Sequence, residues 1–317
     1  VTEKTINIPS FMTRPGMGSK PTQDAAPKAP SKALPKTIKP RTPRTKRAAL
    51  RQPDQPVSDI TVTSLVGASQ TARWKLEQLH QRDHHMVLWT TRGQGRALLH
   101  GRRRGFSAYN VIFVPAGHLF SIELGPQVQG LATLLPNDGR IPLPDQAHLI
   151  RLNDSAEQVE FTGILDAMRR ECNDLRPLMN DALNAHAQLL SVTLRRAIDR
   201  EGPAPRARAT ERLVRHFCDL LAQEFTSGNP MAWYAEQLDI TPTHLTRVCR
   251  QSAGITAAEM LSQMVQHRAR SLLMESDLPI NRISGALGFG SAAYFTRFCQ
   301  QHFGAAPSKL RKQARGV

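Results

Sequence analysis

The chain has 317 residues, room for two ordinary domains and a tail, and with 40% apolar against 21% charged residues most of it can bury a core. No apolar run reaches the roughly eighteen residues of a membrane-spanning helix, and the N-terminal stretch lacks the apolar segment of a secretory signal. The formal net charge of +16 is uneven: residues 1–57 hold 12 Lys and Arg against 3 Asp and Glu, residues 58–209 hold 18 against 15, and residues 210–317 hold 12 against 8. More than half of the excess therefore sits in the first segment, and overall basicity alone is weak evidence for nucleic acid.

Residues 1–57 are rich in Pro, Lys, Ala and Thr and poor in large apolar groups, too few to offset the entropy of ordering, so a disordered basic tail is expected. It is either a solvated leader or an arm that adds sequence-independent phosphate attraction. Residues 58–150 then show short β-type runs: Met86–Thr91, Ala97–His100, Val111–Val114, Leu119–Leu124 and Gly130–Leu135. They are separated by the turns Arg92–Gly95, the charged Gly101–Gly105 and Pro115–Gly117. Several short strands with glycine turns predict a sandwich or barrel. A barrel interior lined by His84, Leu88, Trp89 and Phe113 would either hold a small, partly apolar effector or simply fill the core.

Residues 151–205 change to a helical period. Leu183, Ala187, Leu190, Leu194 and Ala197 form one apolar stripe, which packs onto its own domain or pairs with the same helix of a second copy. The segment Glu201–Arg206, with Pro203 and Pro205, predicts a linker.

Within residues 206–317, residues 210–310 read as helical throughout. Asn229-Pro230 is expected to cap and start a helix with Met231, Tyr234, Ala235 and Leu238 on its buried face. Asp239-Ile240 makes a turn and Thr241-Pro242 starts a second helix, burying Leu245, Val248 and Cys249 and presenting Thr243, His244, Thr246, Arg247 and Arg250. A short helix, a tight turn and a polar-faced helix is the unit that inserts its second helix into the major groove. The pattern recurs about fifty residues later. Ile280, Ile283 and Leu287 mark a helix, Gly288-Phe289-Gly290 a turn, and Ser291 a cap. Tyr294, Phe295 and Phe298 are expected on the buried side of the next helix, and Ala292, Ala293, Thr296, Arg297, Gln300 and Gln301 with Ser291 on the open side. From 279 to 317 there are six Lys and Arg and no Asp or Glu, a patch suited to phosphates. Between the units, residues 257–275 predict one helix of about 28 Å at 1.5 Å per residue. Major-groove faces on one side of B-DNA recur at roughly 34 Å, so one rigid helix can hold two reading heads in successive grooves.

The stretch Leu278–Arg311, with Leu245–Gly254 and Arg268–Leu273 upstream, closely resembles the signature of the AraC/XylS family of bacterial regulators. The resemblance implies promoter binding, with a ligand or partner surface on the N-terminal domain. Two departures stand out. Gly285 occupies a helical position at a cost of roughly 1 kcal/mol against Ala, and Ala292 and Ala293 replace polar residues, leaving methyl contacts or shape readout there. The first unit is therefore expected to carry more of the sequence discrimination. The β-rich segment is similar to the cupin-type sensing domain of such regulators, in Arg92–Gly95, Val111–Gly117 and Gly130–Pro136, and most similar to regulators of aromatic-acid catabolism.

His80, His84 and His85 invite a metal reading, but no carboxylate follows them and Phe120 stands where the family often has His, so three or four converging ligands cannot be assembled. Cys172, Cys218, Cys249 and Cys299 form no C-x-x-C pair, which predicts reduced, buried thiols in a cytoplasmic protein, and the regulator reading makes it a nucleoid-associated one. The expectation is an α+β chain: a tail at 1–57, a cupin-like effector-sensing β-barrel at 58–150, a helical dimerisation or linker region at 151–205, and an all-α DNA-binding domain with two helix-turn-helix units at 206–317. It would be a homodimeric regulator of double-stranded DNA with a small effector, an aromatic acid among the candidates, and no cofactor, metal or membrane partner. The alternative is a metal-dependent cupin enzyme with a helical appendage.

Overall fold

The computed structural model describes residues 59–65, 73–174, 176–202 and 208–315. The tail at 1–57 and the proline-containing middle of the linker, 203–207, lie outside the described residues. In chain order the elements are β1 (Thr61–Ser64), α1 (Trp74–Glu77), β2 (His85–Arg92), β3 (Gly95–Leu99), β4 (Arg102–Phe106), β5 (Asn110–Val114), β6 (Phe120–Leu124), β7 (Gln129–Leu135), β8 (His148–Arg151), α2 (Ser155–Asp174), α3 (Met179–Glu201), α4 (Ala209–Glu224), α5 (Met231–Gln237), α6 (Pro242–Ala253), α7 (Ala257–Glu275), α8 (Ile280–Ala286), α9 (Ala292–Phe303) and α10 (Pro307–Ala314). The mixed α+β class follows, with the sheets in the N-terminal part and helices alone after α4.

Two sheets form the β part, one of order β1-β7-β2-β5-β8 and one of order β4-β3-β6, with every paired neighbour antiparallel. One face of the larger sheet, through Met86, Leu88, Ile112, Val114 and Ala132, packs on Ala97, Leu99, Phe106, Phe120 and Ile122 of the smaller one. Its other face, through Val87, Trp89, Val111, Phe113 and Leu131, is covered by α2 and α3. Burial on both faces explains why Met86–Trp89 and Val111–Val114 are unbroken apolar runs rather than alternating ones. It also corrects the expected effector lining. Trp89 and Phe113 point away from the space between the sheets, toward α2, where Trp89 Nε1 donates to Thr162 Oγ1 at 3.1 Å. Leu88 alone of the four faces the smaller sheet, and His84 lies just before β2, so the strand parity that placed them on one wall was wrong.

The charged segment expected as a turn is strand β4, and the reversal is the tighter His100-Gly101, both with positive φ (48° and 71°). A Cβ on Gly101 would come within 2.4 Å of Val214 Cγ1 in α4, so glycine is needed there for backbone and for space. The stripe Leu183, Ala187, Leu190, Leu194 and Ala197 is fully buried against α2 and the sheet. It is therefore core, the first of the two uses open to it, and is not available as a seam with a second copy.

The described residues all belong to one compact unit because the β part docks onto the C-terminal helices. Leu79, Leu98 and Leu119 join the core built by α4, α6, α7, α8 and α9. Around them, the Leu79 backbone N–H donates to Gln263 Oε1 (3.1 Å), Gln78 Nε2 to Gln266 Oε1 (3.3 Å) and Gln81 Nε2 to the Ala222 carbonyl (3.2 Å). Lys75 pairs with Glu275. The centre of this seam is a stacked pair, His80 on His267, with ring centroids 4.0 Å apart and Trp74 beside them. His80 Nε2 accepts from Arg82 Nε at 3.1 Å, which fixes the neutral ring with its proton on Nδ1, donating to the Gln78 carbonyl. Burial holds His80 well below the ordinary histidine range and pushes His267 down to about 3, with the neighbouring His267 and Arg82 charges adding to the two shifts respectively.

The unfolded chain protonates these rings near pH 6.5 while the folded chain keeps them neutral. Their contribution to stability is full above pH 6.5 and is lost as the pH falls toward about 3, because the unfolded state then binds more protons. Urea unfolding of His267→Phe, which keeps a ring in the stack, is expected to show a shallower loss of stability between pH 7 and pH 4 than the parent. An unchanged slope would mean that His267 is solvated in solution.

Candidate nucleic-acid interface

The first helix pair is α5 and α6. Pro230 is itself the residue that enters α5, so Asn229 lies one position earlier than its expected capping role. At the corner Asp239 takes a left-handed φ of 54°, and the Ile240 N–H donates to the Ala235 carbonyl at 3.0 Å. Thr241 Oγ1 accepts the His244 N–H (3.2 Å) and Pro242 occupies the first turn of α6, as expected. Gly254 ends the helix at φ 75°.

The second pair, α8 and α9, repeats this construction. Gly288 has φ 77°, the Phe289 N–H donates to the Ser284 carbonyl at 3.1 Å, Ser291 Oγ accepts the Tyr294 N–H at 3.3 Å, and Gly304 ends the helix at φ 72°. A Cβ on Gly288 would also come within 2.4 Å of the Thr226 carbonyl, which seats the second corner on the loop before α5. Residue by residue, burial along 241–250 and 291–300 is the same. Leu245, Val248 and Cys249 answer to Phe295, Phe298 and Cys299, all in one shared core. Burial pushes the Cys249 and Cys299 thiols up to about 12, so they pack as small apolar groups and do not act as thiolates.

The faces left to solvent carry the expected groups. Thr243, His244, Arg247 and Arg250 are exposed on α6, with Thr246 half-buried; Ser291, Ala292, Ala293, Arg297, Gln300 and Gln301 are exposed at α9, with Thr296 half-buried. Ser291 is committed to its cap, and Thr296 Oγ1 donates back to the Ala292 carbonyl (2.9 Å). Tyr294, expected on the buried side, is 37% exposed, and the Arg297 guanidinium lies over its ring at 5.7 Å. The fifty-residue repeat would have found it, since Tyr294 answers to the exposed His244. Not all of the basic groups after residue 279 are available to a partner: Arg311 donates to the Leu278 carbonyl and Arg315 pairs with Asp277, closing α10 onto the loop between α7 and α8.

Helix α7 runs over Ala257–Glu275, the 19 residues expected, and starts with Thr256 and Glu259 capping each other. Its buried side (Ala257, Met260, Leu261, Met264, Val265, Ala269, Leu273) joins the core common to both helix pairs. Gln263, Gln266 and His267 meet the β part. On the other side, β4 touches α6, and an added Cβ on Gly254 would lie 3.1 Å from Arg103 Nη1, a cation at a helix C-terminus. Arg103 is itself held by both carboxylate oxygens of Glu123 (2.7 and 2.9 Å). Among the described residues no group of three His, Cys, Asp or Glu side chains converges to hold a metal, and no helix is long and apolar enough to cross a membrane.

Two capped helices of equal length, open on one polar side and rooted in one core, define a DNA-binding domain with tandem helix-turn-helix units. Residues 234–313 match a family model described as a helix-turn-helix domain. The chain is 27% identical over 254 residues to the HTH-type transcriptional activator RhaS of Salmonella arizonae, spanning 74% of this chain and 87% of that one. It is 28% identical over 169 residues to the arabinose operon regulatory protein of Escherichia coli, spanning 53% of each. Among solved structures, unsaturated fatty acid-bound ToxT from Vibrio cholerae aligns with 81% of this chain and 96% of its own, at 14% identity and a TM-score of 0.38. The protein is a DNA-binding transcription regulator with an AraC-type helix-turn-helix domain at its C-terminal end, and the relatives it matches are regulators of the AraC and RhaS kind.

Gly285 is exposed within α8, and a Cβ there would meet nothing within 4 Å. Gly285→Ala is therefore expected to stabilise the chain by about 0.5–1 kcal/mol without altering DNA affinity, through helix propensity and a less flexible unfolded chain. Thermal unfolding and operator titration of the variant check both halves; a lower midpoint would show that the glycine is needed for something the folded chain does not display.

Proposed function

We propose that this regulator reads its operator with α6 and α9 in successive major grooves, that α6 supplies most of the base discrimination, and that the β part senses a small effector, an organic acid among the candidates. The observation that carries this reading is the repeated pattern of exposure on the two helices, combined with their attachment to one 19-residue helix. Helix α6 offers Thr243, His244, Arg247 and Arg250, all able to hydrogen-bond base edges or phosphates, where α9 opens with Ala292 and Ala293. Effector sensing is supported by the way the β part meets both α4 and α7, so that a change in its packing reaches the helices holding the reading heads. The chain acts as a homodimer in the cytoplasm and carries out no catalysis. Val159, Leu178 and Leu189, large apolar side chains left exposed around α2 and α3, are where a second copy would pack, on residues other than the buried stripe.

Arg247→Ala should cost about 1–3 kcal/mol of operator affinity and far less on random duplex, the signature of a base-edge contact. Titration of both duplexes at fixed salt tests it. An equal loss on the two would make Arg247 a phosphate contact and move the discrimination elsewhere.

A further inference from the structure

We propose that Arg270, held between Trp74 of the β part and Phe303 at the end of α9, is a positioning residue that ties the β part to α9 and sets how that helix presents its open face. The proposal rests on the reading of α9 as the second reading head.

The residues of α7 that face the β part share one helical spacing: Gln263, Gln266, His267 and Arg270 fall at i, i+3, i+4 and i+7. The first three meet residues 78–80. Gln263 accepts the Leu79 N–H, Gln266 accepts from Gln78, and His267 stacks on His80. Arg270 ends the row. Its guanidinium lies 5.3 Å from the Trp74 ring centre and 5.2 Å from that of Phe303, both within cation–π reach. Trp74 is buried and packs against the His267 ring at 5.1 Å. The buried Arg270 Nε has no hydrogen-bond partner among the described residues, so the two rings are what fix the guanidinium plane.

Phe303 is the last residue of α9, before the Gly304 that ends it. The middle of the helix is anchored by Phe295, Phe298 and Cys299, all buried, whereas Phe303 is half-buried. Ring contacts continue from Phe303 to Phe298 (6.2 Å) and on to Phe289 at the corner of the second unit (5.1 Å). The fifty-residue repeat breaks here, because Phe303 answers to Ala253, a buried methyl. At that end of the first unit, Arg103 of β4 lies against Gly254 instead. The β part thus reaches the end of α6 directly and the end of α9 through Arg270. With its middle held by the core, α9 keeps some freedom to rotate and tilt, and the contact at its end removes it. Arg297, Gln300 and Gln301, exposed on the same helix, turn with it.

The test uses the full chain and a duplex that the full chain itself selects from a random-sequence pool. Arg270→Met keeps a long side chain and removes the charge, Trp74→Leu removes the ring, and Arg270→Lys keeps the cation. In Arg270→Met and Trp74→Leu, affinity for the selected duplex should fall about fivefold or more, the loss of a desolvated cation–π contact. Hydroxyl-radical protection should weaken over the α9 tract and persist over the α6 tract, which also shows that the variants fold. The double variant should lose no more than either single one, since both break one contact. Arg270→Lys should retain most of the affinity. In the free chain, backbone hydrogen exchange should quicken in α9 and stay unchanged in α6 for the two disruptive variants. Equal weakening of both tracts, additive losses, or α9 exchange as slow as in the parent would overturn the proposal. Exchange needs no duplex, so it still decides the matter should the parent protect a single tract, a result that sinks the two-groove reading alone.

Discussion

Helix α7 is the constraint on which the rest of the structure depends. One side of it supplies Met260, Leu261, Met264, Val265 and Leu273 to the core from which α6 and α9 both project, and it also carries Gln263, Gln266 and His267 to the β part. A helix buried in this way cannot bend without opening the core, where each fully buried Leu or Met contributes about 1.5–3 kcal/mol. Stiffness then follows from packing, and the separation of the two reading helices is set by residue count. The seam with the β part uses the same helix, so on the proposed reading a signal arising there would act directly on the element that sets the geometry.

The two helix-turn-helix units are variants of one template. Caps, corner hydrogen bonds and buried positions recur, yet the corners solve the same backbone problem differently: Asp239 adopts the left-handed conformation in the first, Gly288 in the second. Gly288 has the further task of admitting the carbonyl of Thr226, and that close approach locks the second unit onto the first. The exposed faces have diverged more than the buried ones. Four hydrogen-bonding side chains open α6, whereas α9 begins with two alanines followed by Tyr294 under Arg297. On the proposed reading, a duplex bound by such a pair would be specified mainly at one groove and checked for shape at the other.

The C-terminal architecture was legible in the sequence because each helix there announces itself locally. Caps, prolines, glycine corners and a 3.6-residue stripe all fall within a few residues of one another, and the bounds of α7 came out as expected. The β part was harder. Runs such as Met86–Trp89 are buried on both faces, so they carry no alternation to say which side chains look inward, and Trp89 and Phe113 were assigned to the wrong side. Strand β4 hid behind three consecutive arginines, and the short strands β1 and β8 gave no pattern of their own. The seam of Trp74, His80 and His267 was out of reach for a different reason. Residues nearly two hundred positions apart meet there, and nothing local in either segment signals the other. The stripe on α3 was seen correctly as a stripe, but periodicity does not tell whether the covering surface belongs to the same chain.

The most direct test of α7 as a ruler is a hydroxyl-radical footprint of the full chain on its operator. The account predicts two protected tracts per bound chain, on one face of the duplex and centred about 10 bp apart, the repeat of the major groove. A single protected groove, or two tracts on different faces of the helix, would contradict it.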